Sequence, residues 1–215
     1  MKIKKPNLAV DLNEISSLQN LVVAEAAITQ ITCNNQRILD VKPKSISVKQ
    51  AMFTNITIQD VELRDCSIDD VIFSKCELSA LKVPKISADR IEFTSSRMSG
   101  AQIYESTLKE ILFKDVKLDL ANFRFAKLKN VVFEDCVLKD ADFVGAEFNN
   151  VKFVNCDLEG ADFSNSKITK LDMRTSDLIG IKGITSLKGV IISSTQLITI
   201  APQLAAEIGL QVKQI

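Results

Sequence analysis

The sequence predicts an all-β chain wound as a four-sided coil, and three observations carry that expectation. Large apolar residues stand at every fifth position from Leu18 to Leu178, interrupted on that row only by Cys33, Pro43 and Ala88. Of the 11 phenylalanines, every one but Phe125 lies on this row. Within it, Phe53, Phe73, Phe93, Phe113, Phe133 and Phe153 recur at intervals of 20 residues, and Phe123, Phe143 and Phe163 form a second such series.

A period of five matches neither the 3.6 of a helix nor the 2 of a flat strand. It requires a chain that turns a corner in every unit. Two residues before the large row stand small or β-branched residues, among them Ala51, Val61, Cys66, Ala101, Ser106, Val131, Cys136, Ala141, Ala161 and Ser176. The first and third residues of each five therefore point inward, as alternate residues of a short strand do. The remaining places are rich in Asp, Asn, Ser, Lys and Gly and face outward. The second period of 20 fixes the cross-section, since four units of five make one coil of four sides. About eight coils at a strand spacing of ~4.8 Å give a rod of roughly 40 Å.

Taken in chain order, residues 1–15 fall outside the repeat, contain Pro6, and are expected to form an N-terminal cap. Residues 16–182 form the β-helix. Its first coils, over 16–50, are imperfect, with Gln36 and Pro43 at inward places. Residues 183–215 are read as a C-terminal cap. IGIKGITSLKGVIISS gives a last strand and turn, and TQLITIAPQLAAEIG a short amphipathic helix. Ser194 or Thr195 would cap that helix, Pro202 would kink it and Gly209 would end it. Its apolar face, with Leu197, Ile200, Leu204 and Ile208, suits either a lid over the last coil or a dimer contact.

Composition excludes several kinds of function. Lys+Arg and Asp+Glu both number 27, which is not the balance of a basic nucleic-acid binder. Histidine is absent, which removes His-based triads and His zinc sites. No glycine-rich phosphate loop occurs. No apolar run is long enough to span a membrane, and the start does not read as a secretory signal, so a cytoplasmic protein without membrane contact is expected. Paired acids such as Asp69–Asp70 exist, but a filled rod offers no cleft, so neither catalysis nor a cofactor is expected. The five cysteines, Cys33, Cys66, Cys76, Cys136 and Cys156, all fall on inward rows and are expected as buried thiols. They lack metal-site spacing.

The units VGAEF, EGADF, SGAQI and KDADF resemble the A(D/N)LXX consensus of pentapeptide-repeat proteins, over about residues 16–182. The resemblance implies a right-handed quadrilateral β-helix. The size, the weaker first coils, the tail and the stretch LDLANFRFAKL are similar to the loop-free Qnr-type quinolone-resistance proteins. That likeness implies a non-enzymatic protein that binds DNA gyrase or topoisomerase by imitating DNA, with a tail that pairs two copies into a homodimer. The loops that Gram-negative Qnr-type proteins insert between coils have no counterpart in the unbroken register here.

Two outward surfaces are candidates for partner binding. Asp140, Asp142, Asp157, Glu159, Asp162 and Asp177 map to one acidic side and its corner. Duplex DNA carries one charge per about 1.7 Å, so imitating it over the whole rod would need on the order of 20 net negative charges. Between residues 60 and 180 there are 22 acids against 17 bases, a net of −5. Mimicry is therefore expected only locally, along this side. The second surface is an outward apolar stripe, Met52, Ile72, Leu112 and Val132, interrupted by Glu92. It reads either as an interface or as the seat of the N-terminal segment. The residues leave open a topoisomerase partner or a scaffold for an unrelated protein.

Overall fold

The computed structural model describes residues 1–211. Each unit of five closes one side of a square because one of its residues leaves the extended region. Every residue numbered as a multiple of five from Glu25 to Asn165 has a left-handed backbone, as at Asn55 (φ 54°), Asp115 (φ 53°) and Gly145 (φ 70°). Asn, Asp and Gly adopt this conformation most readily, which explains their frequency at outward places.

The strands are β1 (Asn13–Glu14), β2 (Ala27–Asn34), β3 (Arg37–Leu39), β4 (Ser47–Thr54), β5 (Thr57–Gln59), β6 (Ser67–Ser74), β7 (Ser87–Thr94), β8 (Thr107–Lys114), β9 (Lys127–Glu134), β10 (Glu147–Val154) and β11 (Lys167–Asp172). The main sheet runs β1-β2-β4-β6-β7-β8-β9-β10-β11, and β3 pairs with β5 on another side. All these pairs are parallel, and from β2 to β10 each residue faces the one 20 later: Leu108 meets Leu128 and Phe113 meets Phe133. The expected four-sided β-helix of about eight coils is the fold found.

The register stacks identical side chains into ladders. The Phe113, Phe133 and Phe153 rings lie 4.8 and 4.7 Å apart, nearly parallel. Phe123, Phe143 and Phe163 form the ladder on the opposite side, at 5.0 and 5.1 Å. The two ladders meet edge to face, with Phe123 6.1 Å from Phe133. In this half of the rod the centre is full, and Phe123, Phe133, Phe143 and Phe163 are 0% exposed. In the N-terminal half the opposite side carries Leu63, Val83 and Ile103 instead of Phe, and Ala88 stands in a third. The smaller side chains do not meet across the axis. An apolar cavity of about 110 Å³ remains, lined by residues from Leu18 to Phe113.

Residues 1–12 do not lie over the end of the coil, where the sequence suggested a cap. They run lengthwise along the rod. The Met1 ammonium lies close enough to Lys152 for that charge to lower its pKa. The Lys4 backbone N–H donates to Glu110 Oε2 (2.8 Å), and the Asn7 N–H donates to Asp70 Oδ1 (2.8 Å). Gln50 Nε2 donates to the Asn7 carbonyl (3.2 Å), after which Asn13 and Glu14 pair with β2. This strap thus descends from the penultimate coils to the first.

The C-terminal end is closed by α1 (Ser194–Glu207). The expected last strand is instead a 3₁₀ turn at Ile184–Ser186, with Ile191 bridging to Asp172. A Cβ on Gly183 would lie 2.3 Å from the Ser164 nitrogen, so the chain passes too close to the preceding coil for anything but glycine. The N-cap is Ser193 rather than Ser194 or Thr195, because Gln196 completes a capping box with it. Gly209 (φ 80°) ends the helix as expected, its N–H bonding to the Ala206 carbonyl while that of Leu210 bonds to Ala205. Pro202 is accommodated within the helix. Gln196 Nε2 donates to the Met173 and Ser176 carbonyls, both at 2.6 Å, and so covers backbone that has no further coil above it.

Candidate protein-docking side

The six acidic residues fall on two adjoining sides that share the corner at Asp140. Asp142 and Asp162 are bridged neighbours in one column, and Asp157 and Asp177 are bridged neighbours in the next. Glu159 and Asp140 stand between these columns, with the Asp140 N–H bonded to the Glu159 carbonyl at 2.8 Å. The side is thus assembled by the register, which brings Asp140 and Asp142, the group Asp157, Glu159 and Asp162, and Asp177 together from successive coils.

Part of this charge is already engaged. Lys139 Nζ lies 3.2 Å from Asp157 Oδ2 and 2.5 Å from Glu159 Oε2, and Arg124 Nη1 lies 2.9 Å from Asp142 Oδ2. Among the described residues, Asp140, Asp162 and Asp177 have no basic partner within 4.0 Å. Four of the six also hold their own corner. Asp142 Oδ1 accepts from the Val144 N–H (2.9 Å), Asp162 from Ser164 (2.8 Å), Asp157 from Glu159 (3.2 Å) and Asp177 from Ile179 (3.0 Å). The same two-residue link recurs at Asn122, which accepts from the Arg124 N–H at 3.0 Å. At Asp162 and Asp177 only one oxygen is used, so these carboxylates still present their second oxygen and their charge, whereas at Asp142 and Asp157 the second oxygen meets Arg124 and Lys139.

The apolar stripe is not an open face. Val132 is 9% exposed, and Met52, Ile72 and Leu112 are half-buried. Burial at outward places requires cover, and the strap passes there, anchored on the neighbouring corners at Asp70 and Glu110. Glu110 is buried. Desolvation works against its charge, yet the Lys4 N–H and the Asn130 amide hold its carboxyl below the usual range. At Asp70 the Arg90 guanidinium leads, in two bonds of 2.6 and 2.7 Å, and with the Asn7 N–H it also lowers the pKa. These anchors went unread in the sequence, because a strap held through its backbone leaves no side-chain pattern.

The tail residues divide. Ile200 is buried and Leu204 packs against the core, while Leu197 and Ile208 are 49% and 59% exposed. The inner pair forms a lid, and the outer pair faces away from the rod. All five cysteines are free and buried, and burial pushes the Cys33, Cys66 and Cys76 thiols up. Among the described residues no group of three potential metal ligands occurs, and no helix is long and apolar enough to cross a membrane.

One further feature was visible only as an anomaly, the phenylalanine off the large row. Phe125 and Leu120 occupy successive corners, both left-handed (φ 56° and 58°), and are 55% and 63% exposed. The Phe125 ring lies where a Cβ on Gly145 would stand, 2.4 Å from its Cε1. The Arg124 guanidinium sits 5.6 Å from the ring centroid.

The repeat geometry has a counterpart in known proteins. Residues 66–143 and 112–182 match the family described as Pentapeptide repeat region. The chain belongs to the pentapeptide-repeat family. Its solved relatives include HetL from the cyanobacterium Nostoc sp. strain PCC 7120, a pentapeptide-repeat protein involved in heterocyst differentiation regulation. That structure is 16% identical over 78% of this chain and 90% of its own, with a TM-score of 0.35. A trypsin-treated form of QnrB1, a plasmid-mediated fluoroquinolone resistance protein, is 20% identical over 85% of this chain and 99% of its own, with a TM-score of 0.37. No curated protein matches the chain. In this pentapeptide-repeat rod, the Asp or Asn of the A(D/N)LXX unit has a structural reason: it accepts the N–H two residues on and so fixes the approach to the next corner.

Proposed function

We propose that this pentapeptide-repeat protein is a non-enzymatic binder of DNA gyrase or a related topoisomerase. Its acidic side would dock where that enzyme holds DNA, and the bound protein would reduce cleavage stabilised by fluoroquinolones. The observation that carries the reading is the run of carboxylates on two adjoining sides of the rod, with Asp140, Asp162 and Asp177 free of basic partners among the described residues. Such a surface suits a groove shaped for phosphates, and its contacts should weaken as salt rises. The exposed Leu197 and Ile208 favour a two-fold contact between tails, which a sedimentation experiment at tens of micromolar tests; a strictly monomeric protein removes that part.

The test is gyrase supercoiling with and without a fluoroquinolone, using wild type and a variant with Asp140→Asn, Asp142→Asn, Glu159→Gln and Asp162→Asn. Each amide keeps an acceptor oxygen, so the corner bonds of Asp142 and Asp162 persist and the fold should remain. The variant should lose the effect of wild type. An equal effect would move the contact elsewhere, and wild type without effect at low salt would end the topoisomerase reading.

A further inference from the structure

We infer that Leu120 and Phe125 are the anchors of the docking surface, inserted into an apolar recess of the partner that is rimmed by basic side chains. The inference rests on the topoisomerase reading above and names which residues would carry the affinity. Three observations converge. First, both residues occupy corners with a left-handed backbone, the places where Leu and Phe fit worst and Asn, Asp or Gly fit best. Second, both are exposed, so neither gains from the core what its backbone loses. Third, the Phe125 ring is positioned: it lies over Gly145, where any Cβ would collide with it, and the Arg124 guanidinium lies 5.6 Å from its centroid while also binding Asp142. Such a ring loses little freedom on binding, and aromatic residues held in this way are typical energetic centres of interfaces.

Charge complementarity decides what the partner is like. Asp140 stands one coil beyond Leu120 in the same corner column, and Asp162 one coil beyond Asp142, both without a basic partner among the described residues. An apolar centre with this border matches a recess edged by Lys or Arg. The acidic residues would then set salt dependence and encounter rate, while Leu120 and Phe125 would set the lifetime of the complex.

The experiment measures the affinity of purified DNA gyrase for wild type, for Leu120→Asn with Phe125→Asn, and for the four-residue acidic variant, at low and high salt. Asparagine accepts the corner conformation better than Leu or Phe, so the double variant should melt no lower than wild type. It should bind gyrase on the order of thirtyfold more weakly, the size of an interface hot spot, and that loss should remain at high salt. The acidic variant's deficit should shrink as salt rises. Wild-type binding with an unchanged affinity in the folded double variant overturns the anchor while leaving the topoisomerase reading intact. Wild type that does not bind gyrase at low salt removes that reading and the anchor with it.

Discussion

Replacing Ala88 with leucine should stabilise the protein, because the axial cavity gives the added atoms a place to go. Ala88 lies in β7 between Ile68 and Leu108 on the same inward ladder, and it lines the cavity of about 110 Å³. Leucine adds three buried carbons at roughly 0.8 kcal/mol each, about 2.4 kcal/mol in all. Fixing its rotamer costs about 0.5–1 kcal/mol, which leaves a net gain of roughly 1.5–2 kcal/mol. For a chain of this size, 1 kcal/mol corresponds to about 2–4 °C, so the melting temperature should rise by roughly 3–8 °C. Thermal unfolding followed by circular dichroism reads this directly. As a contrast, Ala141→Leu inserts the same atoms beside the filled half, where Ala141 is 0% exposed, and should cost about 1–3 kcal/mol through overpacking. A lower melting temperature for Ala88→Leu would show that the axis is not open at that coil, and would refute the account of why the two halves pack differently.

The same asymmetry should appear on truncation. Phe133→Ala, between Phe113 and Phe153 and edge-on to Phe123 and Phe143, should cost about 3–5 kcal/mol in denaturant unfolding. Phe93→Ala should cost less, since Phe93 already borders the cavity; equal losses would contradict this. The strap should release in acid. Asp70 and Glu110 have folded pKa values below their unfolded ones, so their hold is complete above about pH 4.3, where the unfolded carboxyls are ionised, and is lost as pH falls through the depressed folded values. Proteolysis within residues 1–12, measured against pH with an acid-active protease, should accelerate only below about pH 4, the unfolded carboxylate range; cleavage independent of pH would exclude the carboxylates as anchors.

How far the structure could be read in advance follows the reach of each interaction. Inward rows were legible because a ladder repeats one side-chain requirement at fixed spacing, and Phe113, Phe133 and Phe153 state it unmistakably. The left-handed corners were less so. Asn and Asp mark many of them, but Lys75, Ala80 and Leu120 adopt the same backbone because the coils on either side impose it. The period of 20 brings the acidic residues together, on two adjoining sides rather than one, but nothing in it signals the corner bonds of Asp142 and Asp162. A carboxylate selected for its oxygen and one selected for its charge look alike in sequence. Ser193 was missed although Gln196, three residues on, signals a capping box. The strap was illegible for a different reason: Lys4 and Asn7 bind Glu110 and Asp70 through main-chain N–H groups, which every residue but proline carries.

The register between β7, β8 and β9 also governs how such a chain can change length. Excising residues 107–126 would set β7 directly beside β9, with Phe93 against Phe133, and would leave every column in alignment. The rod would simply be one rise shorter. Losing five residues instead would rotate everything downstream by a quarter turn, placing Leu against Phe in the ladders and turning the acidic columns by one side relative to the strap's lower anchors. Viable insertions and deletions are therefore quantised in blocks of 20 residues, and a duplication of one block would lengthen the docking surface without redesigning it. The strap alone escapes this rule. It spans the coils lengthwise with fixed anchors at Asp70 and Glu110, so it acts as a gauge: any change in the number of coils between those two residues alters the distance it must cover.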